Sequence, residues 1–290
     1  MAVKFTIPGA SFTDTTLPIL YPDALMTNGT LLLLDFGRSE TYALGSTPTH
    51  GAQLGNIAWE TAAAVIGSGS LATLSPTLQN TFAGLPAEGL VERTTKNGLH
   101  VITSQVNMTA TLRYCGIAIP TALRDYLFGA LPGRSIYTSI WGRHTRLSTQ
   151  SVDALGHFAT AASPLVNYVN ILGKGALWSP AGLGRRSVPA SEALGNFYAS
   201  SAQNAWVGTK PGSASLSEAV LWFGAYGAYQ SFQRNKAASG IWYRVYIEDL
   251  TTSGRSYATV DAADKALYDV AFGAGGRFAS DSFTAVATLP

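Results

Sequence analysis

Residues 241–272 constrain the fold of this chain more than any other stretch. From Ile241 to Glu248 the side chains alternate, with Ile241, Tyr243, Val245 and Ile247 in one set and Trp242, Arg244, Tyr246 and Glu248 in the other. A period of two places successive side chains on opposite faces of a strand, so this segment predicts a strand with one buried face. Thr251, Thr252, Ser253 and Gly254 break the pattern with turn residues. Val260, Ala263, Leu267, Val270 and Ala271 then recur at helical spacing, with Asp261 and Asp264 assigned to the first turn, where negative charge suits the helix dipole.

The remaining segments repeat the strand theme. Thr30–Asp35 is a short apolar run that suits a strand buried on both faces. Further strands are predicted at 99–106, after the Asn97-Gly98 turn signal, and at 110–119, 135–144, 156–162, 167–172 and 282–287. Short helices are predicted at 57–66, capped by Asn56, and at 121–131. Many short strands between turn signals predict an all-β sandwich or jelly roll. Residues 1–28 carry Pro8, Pro18, Pro22 and several threonines. They read as an extended arm that packs on another copy or another protein, leaving 29–290 as the β domain.

Composition narrows the function. Charged residues make up 12% of the chain, about half the usual share, while apolar residues make up 47%. This is the reverse of a disordered composition, and a net charge of +2 gives no field that would steer the chain to nucleic acid or an acidic membrane. No apolar run is long enough to span a bilayer, and the N-terminus has no apolar segment of a secretory signal. Cys115 is the single cysteine, so no intramolecular disulfide forms, and its apolar surroundings predict a buried, inert thiol.

Catalytic and metal-binding patterns are weak. The 17 carboxylates are scattered, and the one adjacent pair, Glu248 and Asp249, sits on successive strand positions that one site cannot share. His50, His100, His144 and His157 have no metal-ligand spacing to one another or to Cys115, so neither a metal nor a cofactor is expected. Aromatic residues are concentrated between Trp222 and Tyr246. Trp242, Arg244 and Tyr246, beside Tyr229, form the candidate surface; such aromatics fill a core, join subunits or stack on a glycan. On this register Tyr243, Val245 and Ile247 face the sandwich core, while Trp242, Arg244 and Tyr246 face outward to a second layer, a partner or a ligand, and replacing Arg244 by alanine is expected to leave monomer stability nearly unchanged.

Gly29–Asp35 following a Pro-rich arm, Trp242–Leu250 preceding a Ser-Gly turn and a helix, and Tyr137–Arg143 together resemble virion proteins of tailed bacteriophages that carry a concanavalin A-like (laminin G-like) jelly roll. The resemblance implies a non-enzymatic structural protein of the tail tip, baseplate or tail fibre. It would assemble in the host bacterial cytoplasm with copies of itself, a trimer being the favoured form, and with other tail proteins. It also implies an alternative, a carbohydrate-binding module that recognises a host surface glycan.

Overall fold

The computed structural model describes residues 22–110, 112–128, 134–149, 155–159, 168–172, 193–203, 220–225 and 234–290. Among these the chain is mostly strands in antiparallel sheets, with few helices. The strands are β1 (Thr30–Asp35), β2 (Thr77–Asn80), β3 (Gly89–Arg93), β4 (Leu99–Thr103), β5 (Arg113–Ala118), β6 (Ile136–Arg146), β7 (Leu155–Ala159), β8 (Tyr168–Leu172), β9 (Gly195–Gln203), β10 (Val220–Ala225) and β11 (Ser239–Asp249). The helices are α1 (Trp59–Ile66), α2 (Leu71–Leu74), α3 (Thr121–Phe128), α4 (Leu250–Ser253) and α5 (Tyr257–Phe272).

β11 organises the larger sheet. One of its edges pairs with β6 along its whole length, and β9 extends the sheet beyond β6. Its other edge is shared end to end, with β4 against Gly240–Trp242 and β1 against Arg244–Glu248. β3 closes the sheet beyond β4, while β10, β5 and β2 make a second, three-stranded sheet, and β7 and β8 pair as a third.

The two larger sheets share one apolar core. Leu32 and Leu34 of β1, Leu99 of β4, Ile140 of β6, and Trp242, Val245 and Ile247 of β11 meet Leu78 of β2, Ile117 of β5, and Leu221 and Phe223 of β10. Cys115 lies in this core with no exposed surface, as its sequence context predicts. Gly240 allows a close approach of the sheets: a Cβ there would lie 2.3 Å from the Phe223 ring and 2.6 Å from the Arg143 carbonyl oxygen.

The opposite face of the larger sheet is covered as well. α5 lies across it, with Val260 packed beside Tyr137 and Tyr246, and Tyr268 and Ala271 packed beside Trp141, Ile241 and Tyr243. Every residue of β11 is therefore buried, where the sequence predicts one buried face.

Several expectations are corrected. Ser256 caps α5, which starts at Tyr257, so Asp261 and Asp264 lie beyond its first turn, and Val270 is exposed. Asn56 is not the N-cap of α1; it is a buried connector that accepts from the Leu33 and Ala58 amides and donates to the Leu31 and Leu74 carbonyls. The segment 282–287 is not a strand but runs into a 3-10 turn at Val286–Thr288. Its backbone is satisfied by side chains instead of a ladder: the Ser282 amide donates to Thr95 Oγ1 and the Thr284 amide to Glu92 Oε1. Finally, residues 22–28 of the supposed arm pack on this chain's own core, with Leu25 and Met26 buried beside Leu33, Tyr246 and Val260. Residues 1–21 lie outside the described residues.

Candidate functional site

A bulge in β11 decides where the candidate side chains go. Trp242 pairs with Gly142 and Arg244 with Trp141, so Tyr243 is an extra residue on β11. An inserted residue shifts the side-chain phase by one position. Val245 and Ile247 face the inter-sheet core, and Arg244, Tyr246 and Glu248 face α5, as the alternation predicts. Upstream of the bulge the assignment reverses. Trp242 joins the inter-sheet core, with its ring 4.7 Å from that of Phe223, while Ile241 and Tyr243 turn to the helix side.

None of the three described candidate residues is presented to solvent: Trp242 and Tyr246 are 0% exposed and Arg244 is 1% exposed. The correction has a physical cause. Of the occupants open to the outward face, it is a second layer, α5 with residues 22–28, that covers Arg244 and Tyr246, while Trp242 packs between the sheets. Tyr229 lies outside the described residues.

Arg244 is the centre of a charged cluster. Its Nη1 donates to Asp23 Oδ2 at 2.8 Å and its Nη2 to Asp23 Oδ1 at 2.7 Å, a bidentate pair. Its Nη1 also lies 3.5 Å from Asp35 Oδ2. The guanidinium lies over the Trp141 ring, 4.7 Å from the centroid. Its Nε has no hydrogen-bond partner among the described residues. Arg277 Nη2 donates to Asp35 Oδ2 at 2.5 Å, and its guanidinium stands 5.8 Å from the same Trp141 ring.

The electrostatics follow from this pairing. Burial penalises the Asp23 carboxylate, but the Arg244 hydrogen bonds and charge outweigh it and hold the carboxyl below its ordinary range. Burial likewise opposes the Arg244 cation, and the Asp23 bonds override it, so the guanidinium is held more firmly protonated.

A cavity of about 390 Å³ opens at this cluster. Asp23, Arg38, Arg244, Arg277 and Trp141 line it on the charged side, and Leu267, Val270 and Ala271 of α5 line it on the other. Arg38 Nη1 donates to the Pro22 carbonyl at 3.1 Å, and its Nη2 pairs with Glu40 at 2.5 Å.

The neighbouring acids serve as joints. Asp264 projects from α5 into the sheet, where it accepts from Trp141 Nε1 at 2.9 Å, from the Tyr137 hydroxyl at 3.0 Å and from the Ser139 hydroxyl. Burial pushes its carboxyl up, against the opposing Arg244 charge and these donors. Glu248 accepts from Tyr246, Thr27 and Arg255, while Asp249 accepts from Tyr126 and Arg134 and caps α4. Glu248 and Asp249 thus have different partners, consistent with their successive positions on the strand. Among the described residues, no cluster of three His, Cys, Asp or Glu side chains could hold a metal ion, and no helix is long and apolar enough to cross a membrane.

Arg244 is the one part of this cluster that the sequence singles out. A charged residue in the run Trp242–Ile247 signals a buried pair as readily as a solvated face, but Asp23, 221 residues away, carries no signal of its own. No known protein family, curated protein or solved structure matches the chain.

Proposed function

We propose that this chain is a structural virion protein of a tailed bacteriophage, a subunit of the tail tip, baseplate or tail fibre built on a concanavalin A-like jelly roll. In this reading it is not an enzyme and needs no cofactor. It assembles in the host cytoplasm with copies of itself, a trimer being favoured, and with neighbouring tail proteins.

The observation that carries the reading is the use made of the buried acids. Asp23, Asp35, Glu248, Asp249 and Asp264 each bond side chains from other parts of the fold, Glu248 through Thr27, and so tie residues 22–28, the sheet, α5 and the C-terminal tail into one body. Carboxylates used as joints suit a structural subunit better than a hydrolytic cleft, which needs two acids facing a common substrate. The two antiparallel sheets around one core fit the jelly roll implied by Gly29–Asp35 and Trp242–Leu250. The low charge and the 47% apolar content suit a chain that makes many neutral contacts with its own copies.

The test is the protein content of gradient-purified particles of the virus that encodes the chain. Quantitative mass spectrometry is expected to find it at a fixed copy number per particle, a multiple of three. Its absence from intact particles overturns the reading.

A further inference from the structure

The cleft beside Trp141 brings three guanidinium groups, from Arg38, Arg244 and Arg277, to one cavity. Two of them are neutralised from within: Asp23 is bound to Arg244, and Asp35 to Arg277. The third, Arg38, has its ion pair at the surface, and Asp23 acts on it only through space. Arg38 pairs with Glu40, whose side chain is 53% exposed. Ion pairs exposed in this way are weak, so Glu40 can leave Arg38 at little cost. Arg38 lines the cavity and Glu40 does not, so release of Glu40 opens the Arg38 guanidinium to a carboxylate that enters the cavity. Arg277 lines the same cavity with 40% of its side chain exposed, although its Nη2 is bonded to Asp35.

We propose that this cleft binds a sugar carboxylate, a hexuronate residue of an acidic glycan, with Arg38 and Arg277 holding the carboxylate in place of Glu40. Charge-assisted bonds from guanidinium to carboxylate are the strong, directional kind. The rest of the cavity suits the rest of the ligand. Leu267 and Ala271 offer an apolar wall to the C–H face of a sugar ring, and Asp23 Oδ2, bonded by Arg244 Nη1, has a second lone pair for a sugar hydroxyl. A volume of about 390 Å³ lies within the range of small-molecule sites. The proposal uses only the cavity and its charges. It therefore stands or falls independently of the virion assignment, and the particle composition test does not bear on it.

The experiment is calorimetric titration of the full chain with glucuronate, glucose and acetate, each at the same pH and ionic strength. Glucuronate is expected to bind saturably, glucose not at all, and acetate at least about tenfold more weakly, because it lacks the ring. Arg38→Gln and Arg277→Gln are expected to weaken glucuronate binding by about tenfold or more, the loss of a charge-assisted contact. Glu40→Gln is expected to tighten it, because the internal competitor is gone; a merely structural role for the cluster does not produce that gain. Thermal melting checks that each variant is folded. Should Arg277→Gln fail to fold, Arg38→Gln on the rim carries the test. The proposal is overturned by any of three results: no saturable glucuronate binding, equal binding of glucuronate with glucose or acetate, or folded Arg38→Gln and Glu40→Gln variants that bind as the native chain does.

Discussion

Arg244 and Asp23 form a bidentate ion pair, with bonds of 2.7 and 2.8 Å, that joins the central strand to a segment 221 residues earlier in the chain. The pair is buried against Trp141, with the arginine side chain 2% exposed and the aspartate 14%. It reverses the expectation drawn from alternation alone that Arg244, on the outward face of the strand, tolerates truncation.

Arg244→Ala is therefore expected to be more damaging than its neighbour Val245→Ala. Removing one partner of a buried pair leaves an uncompensated charge and costs about 3–5 kcal/mol. Val245→Ala opens space in the inter-sheet core and should cost about 1–3 kcal/mol. Urea denaturation curves of the two variants give the comparison. A smaller loss for Arg244→Ala would mean that the pair is not formed in solution.

The same pair makes stability depend on acid. The Asp23 carboxyl is held below its ordinary value of 3.8 in the folded chain. Its contribution is thus complete above the unfolded value and is lost as pH falls through 3.8 toward the folded value. Asp23→Asn should lower stability at neutral pH and narrow the gap to the native chain as pH falls from about 5 to about 2. Melting temperatures across that range measure the gap, and a gap independent of pH would refute the linkage.

Asp264 has the opposite sign. Burial raises its carboxyl above the ordinary 3.8, so the folded state holds this proton to higher pH than the unfolded state does, and the group's contribution falls as pH rises through that window. Three donors, from Tyr137, Ser139 and Trp141, converge on its two oxygens. Asp264→Asn puts an amide donor among them and should cost about 1–3 kcal/mol for the group left unsatisfied. Equal unfolding free energies for the variant and the native chain would show that the converging donors contribute nothing.

Cys115 has no exposed surface, and burial pushes its thiol far up from the ordinary range. A thiol reagent should label it under native conditions only at the rate of unfolding, and rapidly in denaturant. Fast labelling of the native chain would place the thiol outside the core.

Much of the strand framework was legible because its signals are local. The run Thr30–Asp35 is a strand with the bounds read from sequence, and it is buried on both faces, as a continuous apolar run predicts. β4 begins at Leu99, after the Asn97-Gly98 turn, with Asn97 at a positive φ of 65°. What was not legible is non-local. The bulge at Tyr243 carries no glycine or proline to announce it, so plain alternation gives the wrong phase before it and puts Trp242 on the wrong face. The tail at 282–285 has a strand-like composition, but side chains near the β3–β4 turn take its backbone amides. The candidate cleft is assembled from Asp23, Arg38, Trp141, Arg244 and Arg277, residues that only the folded topology brings together.

The solution mass of the purified chain tests the central claim, a self-assembling structural subunit, most directly. Sedimentation equilibrium should return three times the 30.5 kDa chain mass, unchanged on dilution through the micromolar range. A single species of 30.5 kDa at every concentration would contradict it.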